Sequence, residues 1–276
     1  MQKVIHNLWI SLWISLFFSS VSWGWGNLGH RMIAEYASDI VGTATLSKCK
    51  LTKELLVDHV NDPDAVWLRQ RYRFPNEGPA HFFDLEEQAK DWKKKTKSEN
   101  PKHGYLVYRI LDWIDEAKAL KNKKNWSDLS IRLYGLAHYL GDITQPLHLT
   151  SDYDGKKSGV PGIHSQFEAK MIFRFRDEIR ARIAKRISKE KIPPTFVALT
   201  PKELIFSIAE QSHLKSKRLI EDSKLAYIET KKTKKGKTQK AYFKKQILWE
   251  KTGEMAVDQI TLASRLLARF LNLVCE

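Results

Sequence analysis

Hydrophobic residues recur every three to four positions along most of this chain, which is the spacing of one face of an α-helix. The pattern is clearest over 104–120, where Leu106, Ile110 and Ile114 align, and it continues over 129–140. Further helices are predicted over 27–40, 51–60, 165–187 and 242–274, and a capping box with proline at the first helical position begins another at 200–203. We therefore predict an all-α protein with a single compact multi-helix domain.

Three segments depart from this pattern. Residues 61–102 are predicted to form an irregular loop rich in proline, aspartate and lysine. Residues 229–240 are a basic low-complexity run, which is either a solvated surface loop or a segment that attracts phosphate groups. Residues 1–24 combine Lys3, an apolar run over 8–18 and the small residues Ser22 and Gly24, which is the pattern of a cleaved secretory signal.

Cleavage after Gly24 would make Trp25 the first residue of a mature domain, 25–276. The apolar run is shorter than the about 20 residues of a membrane-spanning helix, although an uncleaved anchor is the alternative. The signal predicts export to the periplasm or the cell exterior. There Cys49 and Cys275 could form a disulfide, with free thiols or an intermolecular bond as the alternatives.

The net charge of the chain limits the classes of binding partner that it suits. Its 276 residues carry 47 Lys and Arg against 32 Asp and Glu, a formal net charge of +15. This excess favours nucleic acid or anionic lipid, although a merely solvated basic face has the same charge. A hydrophobic fraction of 42% excludes a disordered chain, and two cysteines exclude a disulfide-rich scaffold.

Histidines and carboxylates form three local clusters. His138 and Asp142 are four residues apart, which places them on one helical face, and His148 follows shortly after Pro146. This spacing suits a divalent transition metal, zinc first, although a core histidine bonded to an aspartate would have the same pattern.

The other two clusters strengthen the metal interpretation. His164 and Glu168 repeat the four-residue spacing, and His81 precedes Asp84 in an aromatic context. Three clusters in one chain favour metal binding, and a single ion could not use them all, so the residues indicate more than one ion.

A fourth motif gives these clusters an order. Trp25, Gly26, Gly29 and His30 form a Trp-Gly-x-x-Gly-His start, and the His-Phe-Phe-Asp, His-x3-Asp-x5-His and His-x3-Glu motifs follow in sequence. This series resembles the trinuclear-zinc superfamily of fungal and plant single-strand-specific nucleases and bacterial zinc phospholipases C. Residues 263–268 are similar to the closing segment of that family.

The resemblance implies three zinc ions per chain. The ligand sets that it implies are His81, His138, Asp142 and an upstream carboxylate; Asp142, His30 and the amino group and carbonyl oxygen of Trp25; and His148, His164 and Glu168. We assign the upstream carboxylate to Asp64, with Asp62 as the alternative. Nucleases of the family usually have Asp at the position of Glu168, whereas the phospholipase branch has Glu.

The resemblance also implies substrate contacts. Phe82 matches the position where nucleases stack a nucleobase, although it could simply pack in the core. The family's phosphate-binding arginine is replaced by Trp67, so Arg69 or Arg71 from the same loop would have to reach in. Asp84 could orient a water molecule or a metal ligand, or cap a helix or loop.

The function that the resemblance implies is a secreted zinc nuclease acting on single-stranded DNA and RNA, and on 3′-nucleotides. A metal-bound hydroxide would be the nucleophile, with Asp142 bridging two ions and Asp84 assisting. The alternative is a zinc phospholipase C acting at a phospholipid membrane surface, which Glu168 and Trp67 favour. A non-catalytic basic nucleic-acid-binding protein with structural zinc is less consistent with the residues, because such sites are usually rich in cysteine.

Overall fold

The computed structural model describes residues 25–98, 100–189, 196, 198–228 and 242–276, so the predicted signal over 1–24 and the basic run over 229–240 lie outside the described residues. The α-helices are α1 (Gly26–Val41), α2 (Thr43–Lys48), α3 (Lys53–His59), α4 (Asp62–Ala65), α5 (Leu106–Asn122), α6 (Trp126–Asp142), α7 (Ile163–Ser165), α8 (Ile172–Arg174), α9 (Arg176–Lys189), α10 (Pro201–Lys224) and α11 (Lys245–Cys275). Two antiparallel strands of two residues each, β1 (Tyr227–Ile228) and β2 (Tyr242–Phe243), form the only sheet within these residues. The prediction of an all-α fold is confirmed.

The longest helices pack around one apolar core. Helix α1 lies against α11, α6 and α3, and α5 lies against α6. The side chains of Trp25, Ile33, Ile110 and Phe270 are at most 1% exposed. Burial of this kind follows from the three-to-four-residue spacing, because it gives each helix one apolar face to bury. None of the described helices has the combination of length and apolarity that crossing a bilayer requires.

Short 3₁₀ turns dominate the segment predicted to be an irregular loop over 61–102. They span Trp67–Arg69, Gly78–His81, Leu85–Glu87, Trp92–Lys94 and Pro101–His103, and a further 3₁₀ turn follows α6 at Pro146–Leu149. The prediction missed helix α4 at the start of this segment. Proline lies near the first position of four of these elements, and it favours such turns because it starts a helical turn without needing its own N–H group.

Two predicted helices have different bounds in the structure. The helix predicted over 165–187 is interrupted by a π-helical turn at Gln166–Met171 and by Phe175 between α8 and α9. The helix predicted from 242 begins at Lys245, because the Tyr242 and Phe243 backbone pairs with β1 instead. The capping box at 200–203 is present: the Thr200 hydroxyl accepts from the Glu203 N–H, and the Glu203 carboxylate accepts from the Thr200 N–H.

A disulfide between Cys49 and Cys275 joins the end of α2 to the end of α11. It resolves the alternatives that the sequence left open for these two cysteines. The Lys121 ammonium group donates to the carbonyl of Cys275, and the Thr45 hydroxyl donates to the Glu276 carboxylate. The C-terminal helix is therefore fixed to the N-terminal part of the chain by covalent and polar contacts.

Candidate metal centre

Five buried side chains meet where α1, α4, the 3₁₀ turn Gly78–His81 and α6 converge. We call them the inner cluster: His30, Asp64, His81, His138 and Asp142. Four of these residues are fully buried, and the Asp64 side chain is 6% exposed. His138 and Asp142 enter together because they are one helical turn apart on α6, as the sequence predicts.

Asp142 lies at the centre of the inner cluster. Its Oδ1 atom is 3.3 Å from His30 Nε2, and its Oδ2 atom is 3.1 Å from His81 Nδ1 and 3.4 Å from His138 Nε2. One carboxylate is thus shared among three imidazole rings. This is the arrangement that a carboxylate bridging two ions would need, since each oxygen faces a different set of nitrogens.

The structure distinguishes the two candidates for the upstream carboxylate. Asp64 Oδ1 lies 3.6 Å from His81 Nδ1 and 3.7 Å from His138 Nε2, within the inner cluster. Asp62 points elsewhere, with its Oδ2 atom 2.8 Å from Nδ1 of the partly exposed His59. Only Asp64 of this pair is brought to the predicted ligands.

Trp25 lies beside the inner cluster. Its backbone N–H donates to His30 Nε2 at 3.1 Å, and its indole N–H donates to the Gly141 carbonyl and the Thr144 hydroxyl. Gly141 also gives His30 its room, because a Cβ there would lie 2.7 Å from His30 Nδ1. The indole therefore anchors the backbone nitrogen of Trp25 next to a predicted metal ligand.

A second group of buried side chains adjoins the first. We call it the outer cluster: His148 from the turn Pro146–Leu149, His164 from α7, and Glu168 from the π-helical turn. The two histidine Nε2 atoms are 3.2 Å apart, and His164 Nε2 lies 2.6 Å from Glu168 Oε2. His148 Nδ1 donates to the carbonyl of His81, which connects the outer cluster to the inner one.

These residues fit divalent metal ions. Within the described residues they form three groups whose donor atoms all lie within 4.8 Å of one another. Both carboxylate oxygens of Asp64 and the Oε1 atom of Glu168 are buried and accept no hydrogen bond from any described residue. Buried polar atoms are normally paired, so such atoms among imidazole nitrogens suit a cation, and N and O ligands suit zinc.

The pKa values of the buried carboxylates in the two clusters are also consistent with bound cations. Burial raises the pKa of Asp64 well above its usual range and raises that of Glu168 to about 8. Burial acts on Asp142 too, but the neighbouring imidazoles of His138 and His148 outweigh it and hold the pKa of Asp142 well below its usual range. A bound cation would favour the charged form of all three carboxylates.

Burial also depresses the pKa of the histidine His164, to about 4, and that of His138 well below its usual range. His81 differs. Burial opposes its charge, but the carboxylates of Asp142 and Glu77 beside its two ring nitrogens, with Asp64 nearby, raise its pKa to about 10. The rings of His138 and His164 therefore favour the neutral form that binds a metal.

A cavity of about 220 Å³ opens to solvent over the outer cluster. His148 and His164 form part of its wall together with Phe82, Asp84 and Tyr153, and Lys102 and Ser151 also line it. This volume is below the roughly 300–1,000 Å³ of drug-sized ligand pockets. The cavity thus combines ring faces, a carboxylate and a cation beside the outer cluster.

The predicted substrate residues have different positions. Phe82 and Asp84 line the cavity, whereas Arg69 and Arg71 are exposed on the turn after α4 and do not line it. Trp67 is buried and stacks on Phe74 with ring centroids 4.6 Å apart, so it serves packing. Asp84 makes no side-chain capping bond, and its Oδ2 atom lies 3.6 Å from His103 Nδ1.

The sequence reasoning missed two residues at the site. Glu77 is buried beside His81, four residues away, and this is the carboxylate–histidine spacing that identified the other clusters. Tyr153 lines the cavity with its ring 5.6 Å from that of His164, edge to face. Its position next to Asp154 and Gly155 gave no signal in the sequence.

These features define an all-helical protein with a buried, carboxylate-bridged candidate metal centre that opens into one cavity. The sequence profile of the S1/P1 nuclease family matches residues 25–276, and the chain belongs to that family. The suspected resemblance is thereby confirmed.

Named relatives agree with this assignment. The chain is 24% identical over 168 residues to Endonuclease 2 of Arabidopsis thaliana, an alignment that covers 57% of this chain and 56% of the relative. It is 27% identical over 146 residues to Nuclease S1 of Aspergillus oryzae, covering 49% of this chain and 47% of the relative. The chain thus spans about half the length of the relatives that it matches.

Proposed function

We propose that this protein is an exported zinc-dependent nuclease that hydrolyses the phosphodiester bonds of single-stranded DNA and RNA, and also the 3′-phosphomonoester bond of 3′-nucleotides. The observation that supports this most is the position of the outer cluster on the wall of a cavity that also holds an aromatic ring and a lysine. A base can stack on Phe82 while a phosphate reaches the buried ligands, and stacking of this kind tolerates any base.

The proposed ligands of three zinc ions follow the two clusters. Asp64, His81, His138 and Asp142 would hold one ion, and Asp142, His30 and Trp25 a second. His148, His164 and Glu168 would hold the third. Bound zinc lowers the pKa of coordinated water towards about 7 and neutralises charge on a phosphoryl group.

The side chains around the ions have separate tasks. Asp142 would contribute to both inner metal sites, because its two oxygens face different histidines. Asp84 lies on the cavity wall, where its carboxylate can accept a proton from a water molecule and orient it. Lys102 supplies positive charge at the same wall. It would replace the family's phosphate-binding arginine, whose position Trp67 occupies in this chain.

Export would complete the inner site. Removal of residues 1–24 would turn the backbone nitrogen of Trp25 into a free amine, and only a neutral amine can coordinate a metal. This nitrogen already lies 3.1 Å from His30 Nε2. The precursor would then lack one complete metal site, so activity would follow cleavage of the signal.

Phospholipid hydrolysis is the second candidate. Glu168 supports it, because the phospholipase branch of the superfamily carries glutamate at that position, and Trp67 takes the place of the phosphate-binding arginine. The same ligands would act on a lipid phosphodiester. Lys102 and the net charge of +15 suit anionic lipid as well as nucleic acid.

A parallel assay separates the two candidates. The full chain is produced with its leader in a secreting host, its N-terminus is read by mass spectrometry, and its zinc content is measured. Single-stranded DNA, RNA, a 3′-mononucleotide and phosphatidylcholine vesicles are then incubated with it, with the Asp142→Asn variant as background. We expect zinc-dependent cleavage of both nucleic acids. The vesicles should remain intact. Cleavage of lipid alone would refute the nuclease, and less than one zinc per chain would refute both candidates.

The same preparation tests the N-terminal ligand. A form with one alanine added before Trp25 should lose most of its activity, because the added residue converts the amine into an amide. Full activity of that form would contradict the proposed role of Trp25.

A further inference from the structure

Glu77 is a buried carboxylate placed against the outward side of the inner cluster. It is 2% exposed, and its Oε1 atom lies 3.4 Å from His81 Nε2. The other ring nitrogen of His81, Nδ1, faces the cluster and lies 3.1 Å from Asp142 Oδ2. The imidazole of His81 therefore stands between a proposed metal site and a second carboxylate.

Two of the other cluster histidines have a different kind of partner behind the ring. His138 donates from Nδ1 to the Val60 carbonyl at 2.9 Å, and His148 donates from Nδ1 to the His81 carbonyl. Both partners are neutral backbone groups. A carboxylate partner does more than a carbonyl, because its charge makes the imidazole a stronger donor to a metal as well as fixing its tautomer.

Glu77 is itself held in place by buried groups. The hydroxyl of Tyr139 donates to Glu77 Oε1, and the Tyr139 ring packs edge to face on His81 with centroids 5.6 Å apart. The Arg109 guanidinium interacts electrostatically with both Glu77 and Tyr139. This arrangement holds Oε1 at 3.4 Å from His81 Nε2, which forms no hydrogen bond with any described residue.

The second oxygen of Glu77 argues against a purely structural role. Oε2 is buried and has no hydrogen-bond partner within the described part of the chain. Burying a carboxylate with one unpaired oxygen is unfavourable, and a neutral glutamine could fill the same space and accept from Tyr139. The negative charge is thus the property of Glu77 that the fold alone does not require.

We propose that Glu77 is a positioning residue that accepts the Nε2–H of His81, so that the Nδ1 lone pair faces the inner zinc site and binds zinc more tightly. The proposal rests on the proposed function, because it requires that the inner cluster holds zinc. Glu77 would not bind zinc itself but would contact the proposed ligand His81.

The test compares Glu77→Gln with Glu116→Gln, a matched change at an exposed glutamate that pairs with Arg132. Zinc affinity is measured by competition with a chromophoric chelator, and the protein is melted with zinc and after chelation. Loss of a carboxylate behind a metal-bound histidine weakens metal affinity by roughly 10- to 100-fold. We expect a loss of that size for Glu77→Gln, no change for Glu116→Gln, and an unchanged or higher melting temperature of chelated Glu77→Gln.

Tyr139→Phe provides a second variant that keeps the packing. It removes only the hydroxyl that orients Glu77, so zinc affinity should fall in the same direction but by less. If Glu77→Gln keeps wild-type zinc affinity, or loses the same stability with zinc as after chelation, the positioning role of Glu77 is refuted. The proposed function would not be affected by that result. A wild-type protein that binds no zinc would refute the proposed function, and the positioning role with it.

Discussion

The inner cluster takes most of its side chains from regular helices, whereas the outer cluster takes two of its three from irregular turns and the third, His164, from the three-residue helix α7. His30, His138 and Asp142 lie on α1 and α6, which pack against each other and are fully buried at these positions. His148 and Glu168 lie on a 3₁₀ turn and a π-helical turn. The two halves of one proposed centre therefore differ in the backbone that supports them.

Access to solvent differs in the same way. His148 and His164 line the cavity, and no inner-cluster residue does so among the described residues. A site enclosed by helices keeps fixed geometry, while turns let side chains meet at an open edge. Under the proposed function, the inner cluster would set the spacing of the ions and the outer cluster would meet the substrate. π-Helical turns often occur at functional sites, and Glu168 lies on one.

The strongest way to break this division is to remove the shared carboxylate. Asp142→Asn should eliminate both inner ions, because Asp142 contacts all three histidines of the inner cluster. Metal ions supply several kcal/mol of transition-state stabilisation, so activity should fall by about 10³-fold or more. Zinc content should drop towards the one ion of the outer cluster. Retention of three ions in this variant would contradict the bridging role.

A matched pair of aspartates sharpens the boundary of the inner cluster. Asp64→Asn should lower activity by roughly 10²-fold, because one ion loses a charged ligand. Asp62→Asn, two residues away on α4 and beside His59, should keep nearly full activity. Activity and zinc content of both variants measured side by side decide the assignment. A larger loss in Asp62→Asn would reverse it.

The sequence predicts the side chains of both clusters, but on different grounds. His138 and Asp142 could be paired because one regular helix fixes their relation, and the spacing of α5 and α6 was clear. The order of motifs then supplied His30, His81 and Asp64, which are distant in the chain. Only the folded structure distinguishes Asp64 from Asp62, because both stand in the same turn.

The irregular segments were harder to predict, for physical reasons. The apolar residues on both sides of the π-helical turn fit helical spacing, so the pattern over 165–187 did not show the break around Glu168. Glu77 precedes His81 in the segment predicted to be an irregular loop, where helical spacing is not expected. Tyr153 reaches the cavity through a loop, and loop geometry depends on tertiary contacts.

At the open edge, Phe82→Ala tests whether the cavity recognises bases. Stacking is worth about 1–3 kcal/mol per base, so KM for oligonucleotides should rise roughly 10- to 100-fold with kcat changed less. Phe173→Ala, which removes an exposed ring outside the cavity wall, is the control. Steady-state kinetics on single-stranded DNA give the answer. An unchanged KM would leave Phe82 a packing residue.

Asp84 gives the smallest effect and a distinct pH signature. Burial, with the nearby Glu86 carboxylate, raises the pKa of Asp84 from 3.8 to about 6. Between these values the folded protein keeps a proton that the unfolded chain has released, so stability falls as pH rises through this window. The loss is complete above about 6. Asp84→Asn has no such proton and should lack this dependence.

The measurement is a series of melting curves for wild type and Asp84→Asn from pH 4 to pH 8. Relative to wild type, the variant should gain stability as pH rises and keep that gain above about pH 6. Activity should respond in the opposite sense: wild-type kcat should rise as Asp84 ionises near pH 6, while the variant should lose a few-fold activity and this limb of the profile. Parallel pH–rate profiles for the two proteins would exclude Asp84 from the reaction, and the cavity wall would then serve binding alone.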